Sequence, residues 1–213
     1  AMVTVSFAGI DWVVSLEAGW NSSIFGFIWM AGQLLAGLAA AVAGFCWLAL
    51  RTPVIRLHHL ALRLNDMGSL LLTAVMVWAY VAFSQLLIIW AGNLPDETLW
   101  YVHRVAGSWL WVAIFLAVFQ FAVPFMALLF RSVKRRPQVL GAIAALLVLT
   151  QIVTLYWQVI PSFQPHGMRP HLLDLTTLLA MGGFLVGESA RQLCQRPTLL
   201  PQDARLREEA PHA

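Results

Sequence analysis

The chain has little charge and almost no cysteine, and both shortages restrict what it can be. Of its 213 residues, 11% are charged and 60% are hydrophobic. This balance is typical of a single membrane domain with short loops and no soluble catalytic module. The two cysteines, Cys46 and Cys194, form no Cys-x-x-Cys motif. The sequence therefore gives no support to a thiolate zinc site, a cysteine-ligated iron–sulfur cluster or covalently attached haem.

Histidine is absent from the long apolar runs, and basic clusters interleaved with aromatic residues are absent from the whole sequence. A haem held between membrane helices needs imidazoles that project from facing helices, so the six histidines outside the runs argue against one. Grooves that bind nucleic-acid strands combine basic and aromatic side chains, and we therefore predict no nucleic-acid partner. No basic segment precedes Val3, so a secretory signal is not predicted.

Five long apolar runs are the main feature of the sequence, and each is about as long as the ~20 residues that a helix needs to cross a bilayer. Their approximate bounds are 24–50, 67–90, 110–130, 139–160 and 172–193. We predict an all-α integral membrane protein with a five-helix membrane domain over residues 24–193. Residues 1–23 are expected to form an outer-side approach segment or the end of a missing helix, and residues 194–213 a cytoplasmic tail.

The basic residues indicate an orientation for these five helices. Eleven of the 13 Lys and Arg residues lie between the first and second runs, between the third and fourth runs, or at the C-terminal end of the fifth run and beyond it. Basic residues are retained on the cytoplasmic side of membrane proteins. The predicted topology therefore places the N-terminus outside and the C-terminus in the cytoplasm.

Ionisable side chains near the runs are the first candidates for function, because a charge inside a bilayer is costly unless it is partnered. Asp66 is predicted to open the second helix, and Asp174 lies in the first turn of the fifth helix, close to His171. The loop before the third helix adds a further ionisable group, namely Asp96, Glu97, His103 and Arg104. Carboxylate–histidine pairs can accept and release protons, but the same pairs are also common in inert loops.

Small residues recur at every fourth position of two predicted helices, where they allow a neighbouring backbone to approach closely. These helix-packing candidates are Gly32, Ala36, Ala40 and Gly44 in the first helix and Gly183 and Gly187 in the fifth. We expect both stripes to pack against other helices, including those of partner subunits.

Polar side chains are most frequent in the fourth helix, with Thr150, Gln151, Thr154 and Gln158. Two interpretations remain open, since such groups form interhelical hydrogen bonds or line a polar pathway or ligand pocket. In the third helix, Gln120 is predicted to bond the backbone group that Pro124 frees.

Tryptophan is concentrated near the outer ends of the predicted helices. Seven of the ten tryptophans lie there, namely Trp12, Trp20, Trp90, Trp100, Trp109, Trp111 and Trp157. They are expected to form an aromatic belt at the membrane surface. Tryptophan is also frequent at protein interfaces, so its excess on one side allows a second interpretation, a surface that contacts a partner.

Several short strings resemble one family, the second large membrane subunit of bacterial alternative complex III. This family is also described as quinone-binding subunit 2 of quinol:cytochrome c oxidoreductase. The matching strings run in the family's order at residues 3–7, 11–12, 15–17, 20, 23–26, 77–80, 83–85, 88–90, 92–95, 100–101, 103–104, 107–109 and 171–175. Taken together they are specific to the family, whereas no single string is.

The resemblance implies a subunit of a respiratory electron-transport complex in the bacterial inner membrane. Such complexes oxidise menaquinol or ubiquinol and pass electrons through iron–sulfur and haem subunits to a periplasmic carrier or terminal oxidase. The implied fold is related to the membrane anchors of polysulfide-reductase-like enzymes. Members of this kind hold no metal or haem themselves, so quinone or quinol is the candidate ligand, with other membrane subunits and lipid as neighbours. The ionisable residues named above then become candidates for a quinol site or a proton path.

The chain also departs from the family pattern. It resembles only the C-terminal half of members about twice its length, so we expect a fragment or a short form. Ala18-Gly19 replaces a Pro-His pair, residues 65–69 read Asn-Asp-Met-Gly-Ser instead of His-Asp-Leu-Gly-Lys, and Gln120 stands where histidine is expected. Losing an imidazole and an ammonium near Asp66 favours the alternative of a purely structural or assembly subunit. An independent transporter is disfavoured, because only Pro124 interrupts a span.

Overall fold

The computed structural model describes residues 2–17, 19–20, 22–51, 60–164, 167 and 171–195. These residues form helices and turns, with no strand among them. The helices are α1 (Met2–Trp12), α2 (Phe25–Arg51), α3 (Leu60–Gly92), α4 (Pro95–Val105), α5 (Trp109–Leu116), α6 (Val123–Leu129), α7 (Arg131–Lys134), α8 (Pro137–Val159) and α9 (Leu172–Gln195).

Five candidate spans are long and apolar enough to cross a membrane, which confirms the predicted all-α membrane fold. Four of them are α2, α3, α8 with the short turn after it, and α9; the fifth is the continuous stretch Trp109–Leu129 that contains α5 and α6. The predicted tail lies outside the described residues beyond Gln195.

The chain divides into two compact units, residues 1–168 and 169–213. In the first unit α2 packs along both α8 and α3, and α3 also packs on α6 and α7. The core between these helices is made of Leu, Ile, Val and Ala side chains, including Leu35, Leu71, Leu140 and Leu147, which are almost fully buried. Close packing of this kind holds membrane helices together, because lipid supplies no hydrophobic drive between them. The second unit contains α9.

Helix α1 lies within the segment predicted to approach the membrane. It packs on α2, with Gly9 against the side chain of Trp29 and Ser6 against Gly26. Both glycines permit the contact, because a Cβ at either position would lie 3.0 Å or less from its neighbour. The first residues are therefore part of the helical bundle.

Helix α3 begins earlier than its hydrophobicity predicts, and Asp66 does not open it. The helix includes Leu60, so Asp66 lies in its second turn with an exposed side chain. Leu64 and Gly68 are buried on one face of this extension, and that packing continues the helix beyond the apolar run. The prediction that Asp66 opens this helix is therefore wrong.

The third span changes its winding where a proline was predicted to kink it. Residues Ala117–Ala122 form a π-helical turn directly before the α6 segment that contains Pro124. Gln120 lies in this turn and is completely buried. Its amide Nε2 donates to Gln151 Oε1 of α8 over 2.7 Å, so the side chain bonds a neighbouring helix. The predicted bond to the backbone freed by Pro124 is not what the structure shows.

The small-residue stripe of α2 only partly faces its neighbours. Gly32 is buried against Gln151 and Trp78, whereas Ala40 and Gly44 are exposed. Four residues advance a helix by about 400°, so a stripe with this spacing drifts about 40° per step around the axis. Leu35 and Ala39 occupy the buried positions instead. Ala36 is half-buried. The stripe therefore turns from the buried face of α2 at Gly32 to the exposed face at Gly44.

We expect Gly32→Ala to destabilise the protein by about 1–3 kcal/mol, because overpacking and a lost hydrogen bond both cost energy. The new Cβ would lie 2.5 Å from Gln151 Nε2 and would displace the amide that Gln120 bonds. Thermal unfolding in detergent measures the change. The matched control is Gly44→Ala on the same helix, where a Cβ meets no atom within 4 Å. Equal midpoints for the two variants would show that the contact has no energetic importance.

Candidate functional site

A cavity of about 590 Å³ lies in the half of the bundle nearest α4, between α2, α3, α4, the third span and α8. We call this half the α4 end and the opposite one the α7 end. Eight of the 19 lining residues are aromatic, so the walls are flat and mainly apolar. Pockets of this size, with few polar groups, are typical of small-molecule sites.

Several polar atoms buried at this cavity have no hydrogen-bond partner among the described residues. They are both amide atoms of Gln85, Oε1 of Gln158 and the indole Nε1 atoms of Trp78 and Trp100. All four residues line the cavity, and Gln85 is only 2% exposed. A buried polar group left unpaired costs about 1–3 kcal/mol. Three donors and two acceptors in the residues that line the cavity are thus buried without partners, at a cost to stability.

A buried arginine connects this cavity with a charged cluster at the α4 end. Arg104, in the last turn of α4, is 0% exposed, and its guanidinium carbon lies 3.8 Å from the centroid of the Trp100 ring. It donates to Glu17 Oε1 at 3.0 Å, to Ser162 Oγ at 3.0 Å and to the Gln158 carbonyl at 2.6 Å. Bonds to several chain segments fix its position.

Glu17 is the acidic centre of this cluster. Its Oε1 also accepts from the hydroxyl of Ser162 at 3.0 Å, and its Oε2 lies 3.5 Å from Nδ1 of His103. The carboxylate is mostly buried, whereas the His103 side chain is partly exposed. A carboxylate, a guanidinium and an imidazole therefore meet between the α1–α2 connection, α4 and the end of α8.

Burial and charge pairing set the protonation states of the cluster. Burial lowers the pKa of Arg104 to about 10, against the hydrogen bond and charge of Glu17, so the guanidinium stays charged at neutral pH. Burial by itself raises the pKa of Glu17, but hydrogen bonds from Arg104 and Ser162 and the Arg104 charge outweigh it and lower the pKa overall. Burial also raises the pKa of Tyr101, a cavity residue, against the Arg104 charge. Tyr101 is therefore a neutral phenol.

Aromatic packing joins the cluster to the cavity wall. Trp20 stacks on Trp100 with ring centroids 4.9 Å apart, and its Nε1 donates to the Glu97 carbonyl at 3.1 Å. Nε1 of Trp157, a lining residue, donates to the Arg104 carbonyl at 3.1 Å. The charged cluster therefore holds the α4 end of the cavity in place.

The ionisable group predicted in the α4 region is only partly brought together. Asp96 and Glu97 lie in the first turn of α4, while His103 and Arg104 lie in its last turn. The carboxylate that pairs with His103 and Arg104 belongs to Glu17, which sequence reasoning did not single out. Glu17 stands in one of the matching strings, but pairing it with α4 requires the fold.

The pair at the start of α9 forms a helix cap. The Asp174 carboxylate accepts from the backbone N–H of His171 at 3.1 Å, and His171 Nδ1 accepts from the N–H of Leu173 at 3.2 Å. This reciprocal arrangement is a capping box, which satisfies free donors at a helix start. Gly183 and Gly187 lie one turn apart on the same helix.

The polar residues of α8 serve both interpretations left open above. Gln151 accepts from Gln120, and the Thr154 hydroxyl donates to Gln120 Oε1, which confirms interhelical hydrogen bonding. Thr154 and Gln158 also line the cavity. The network of Gln120, Gln151 and Thr154 contains no ionisable side chain.

The tryptophans divide into two groups. Trp12, Trp90 and Trp111 are exposed, as expected of an aromatic belt, but Trp20, Trp100 and Trp109 are buried. The belt therefore accounts for only part of the cluster, and the buried members build the cavity wall and the core around it.

No protein-family model matches the chain, and no curated protein is significantly similar to it in sequence. The resemblance to the alternative complex III subunit thus rests on the short strings alone.

Proposed function

We propose that the chain is a cofactor-free membrane subunit of a respiratory quinol oxidoreductase complex of the alternative complex III type, and that its cavity binds a quinone or quinol headgroup. The observation that supports this best is the set of unpaired amide and indole groups in an aromatic cavity. The resemblance of the short strings named above supports the choice of family.

The lining groups suit both oxidation states of such a ligand. Gln85 Nε2 and the indole N–H groups of Trp78 and Trp100 can donate to quinone carbonyl oxygens. Gln85 Oε1 and Gln158 Oε1 can accept from quinol hydroxyls. Flat aromatic walls suit a planar ring, and pairing these groups would remove their desolvation cost.

In the proposed orientation, with the N-terminus outside and the C-terminus in the cytoplasm of a bacterium, the α4 end faces the periplasm. Oxidation of a quinol releases two electrons and two protons. The electrons would pass to iron–sulfur and haem groups of partner subunits. His103 is the proton-path candidate at this end, where its Nδ1 lies 3.5 Å from Oε2 of Glu17.

Contacts with other membrane subunits are proposed at the exposed part of the small-residue stripe, Ala40 and Gly44, and at Gly183 and Gly187. Small residues on a membrane helix favour close helix association. The remaining apolar surface of the spans would face membrane lipid.

A purely structural or assembly role is the second candidate. It is favoured by the neutral network of Gln120, Gln151 and Thr154, since a proton relay across a membrane uses ionisable side chains. Asp66 is exposed and Asp174 caps a helix, so neither carries a separate argument for proton transfer. A purely structural role predicts that the complex assembles normally whether or not the cavity is intact.

Quinol turnover of the assembled complex distinguishes the two roles. The complex would be purified through a tag on this chain, with Ala82→Phe to fill the cavity and Leu87→Phe as the control. Ala82 lines the cavity, whereas Leu87 is exposed on the same helix and does not line it. We expect Ala82→Phe to lower turnover by about tenfold or more, equivalent to about 1.4 kcal/mol, with assembly intact. Unchanged turnover would favour the structural role, and recovery of the chain as a lone monomer would contradict both.

A further inference from the structure

The cavity is open on one side, between α3 and the third span. Three α3 residues that line it also have exposed side chains, namely Met76, Tyr80 and Phe83, with Tyr80 73% exposed. On the third span Ala117 lines the cavity and is exposed. These two rows of residues mark the edges of the opening.

The packing of the helices explains the opening. α3 packs on the π-helical turn in the middle of the third span, on α6 in the half nearest the α7 end, and on α7, which follows the span. α5 instead packs on α4 and α8. The two spans are therefore joined toward the α7 end and separated toward the α4 end.

Polarity changes along this opening. Met76 lies near the middle of α3, and Gln85 lies nine residues further toward the α4 end, a rise of roughly 14 Å at 1.5 Å per residue. The unpaired atoms of Gln85, Gln158 and Trp100 lie at the α4 end. Toward the middle of the spans Met76 and Phe121 are apolar, and Nε1 of Trp78 is the unpaired polar atom there. A ligand with one polar end and one apolar end would be oriented by this gradient.

We infer that the cavity takes a quinone with a long apolar tail, which enters sideways from the bilayer and leaves its tail in the gap between α3 and the third span. This inference rests on the proposed function and adds the route and the tail site. The polar head would lie at Gln85, Gln158 and Trp100, and the tail would pass Met76 and Ala117 into the surrounding acyl chains. Exposed apolar residues around the opening match a lipid-facing entrance.

Two quinones with the same ring test the tail site, one with a ten-carbon chain and one with a single isoprene unit. Binding is measured in nanodiscs by quenching of tryptophan fluorescence. Ala117→Trp is designed to narrow the gap, and Ala113→Trp, one turn earlier and also lining the cavity, is the second variant. Val118→Trp is the control, because Val118 is exposed beside Ala117 and does not line the cavity.

The expected result is that Ala117→Trp raises the Kd of the long-chain quinone about tenfold, or 1.4 kcal/mol, and changes that of the short-chain quinone by less than about threefold. Gln85→Leu, by contrast, should weaken both. One outcome is that Gln85→Leu weakens the binding of both quinones, while Ala117→Trp and Ala113→Trp change the Kd of the two quinones equally. This outcome would contradict the lateral opening but not the headgroup site. If Gln85→Leu affects neither quinone, the proposed function itself fails. If a brominated-acyl phospholipid quenches the fluorescence and neither quinone does, both the lateral opening and the proposed function would be contradicted.

Discussion

Replacing Arg104 by leucine is expected to destabilise the protein by about 3–5 kcal/mol, because removing one partner of a buried ion pair leaves the other charge uncompensated. Arg104 is completely buried and bonds Glu17, Ser162 and the Gln158 carbonyl. Its loss would strand the mostly buried Glu17 carboxylate and loosen the wall of the cavity. Thermal unfolding in detergent measures the effect.

Arg63→Leu is the matched control. Arg63 is exposed near the start of α3, and its replacement should change the free energy of unfolding by less than about 0.5 kcal/mol. In Arg104→Leu the additional change Glu17→Leu should recover part of the loss, because it removes the stranded charge. Similar unfolding midpoints for Arg104→Leu and Arg63→Leu would contradict the buried cluster.

The same cluster gives stability a defined dependence on pH. Because the folded pKa of Glu17 lies below its ordinary value of 4.5, the stabilisation is present above that value and is lost as the pH falls through the folded pKa. The wild-type midpoint should therefore fall more steeply under acid conditions than that of the variant lacking both Arg104 and Glu17.

Replacing Gln85 by leucine is expected to change stability and ligand binding in opposite directions. Both amide atoms of Gln85 are buried without a partner among the described residues, and leucine of similar volume would remove this desolvation cost. We expect stability without ligand to rise by about 1 kcal/mol. Quinone binding should weaken about tenfold, the equivalent of 1.4 kcal/mol in binding free energy. Unfolding in detergent and fluorescence titration measure the two effects.

Gln151→Leu is the contrasting variant. Gln151 is also buried on a helix, but its amide accepts from Gln120. Its replacement should destabilise the protein by about 1–3 kcal/mol, because the buried Nε2 of Gln120 loses its acceptor. Loss of stability in Gln85→Leu would mean that its amide is already satisfied, and the argument for a ligand would lose its main support.

The spans could be predicted from the sequence because a bilayer imposes a minimum length on an apolar helix. Their ends were less predictable. α3 extends to Leu60 because Leu64 and Gly68 pack on a neighbouring helix surface, and hydropathy does not report such packing. The stripe of Gly32, Ala36, Ala40 and Gly44 does not keep to one face of α2, because four-residue spacing rotates around a helix with 3.6 residues per turn.

The site was less predictable than the spans, because its parts are distant in sequence. His103 and Arg104 were expected to act with Asp96 and Glu97, which are close in the chain but lie at the other end of α4. Glu17 reaches them because Glu17 and Trp20, between α1 and α2, contact residues of α4, and Glu17 also bonds Ser162 after α8. Gln85 is a single amide within an apolar run and belongs to one of the matching strings, but its lack of a hydrogen-bond partner is visible only in three dimensions.

The most direct test of the proposed ligand site is a structure of the purified protein in nanodiscs, determined by cryo-electron microscopy after saturation with a long-chain quinone. We predict ring density within hydrogen-bond distance of the Gln85 and Gln158 amides, with the tail leaving between Tyr80 and Ala117. Ring density at another place, or a cavity filled only by a lipid acyl chain, would contradict the site.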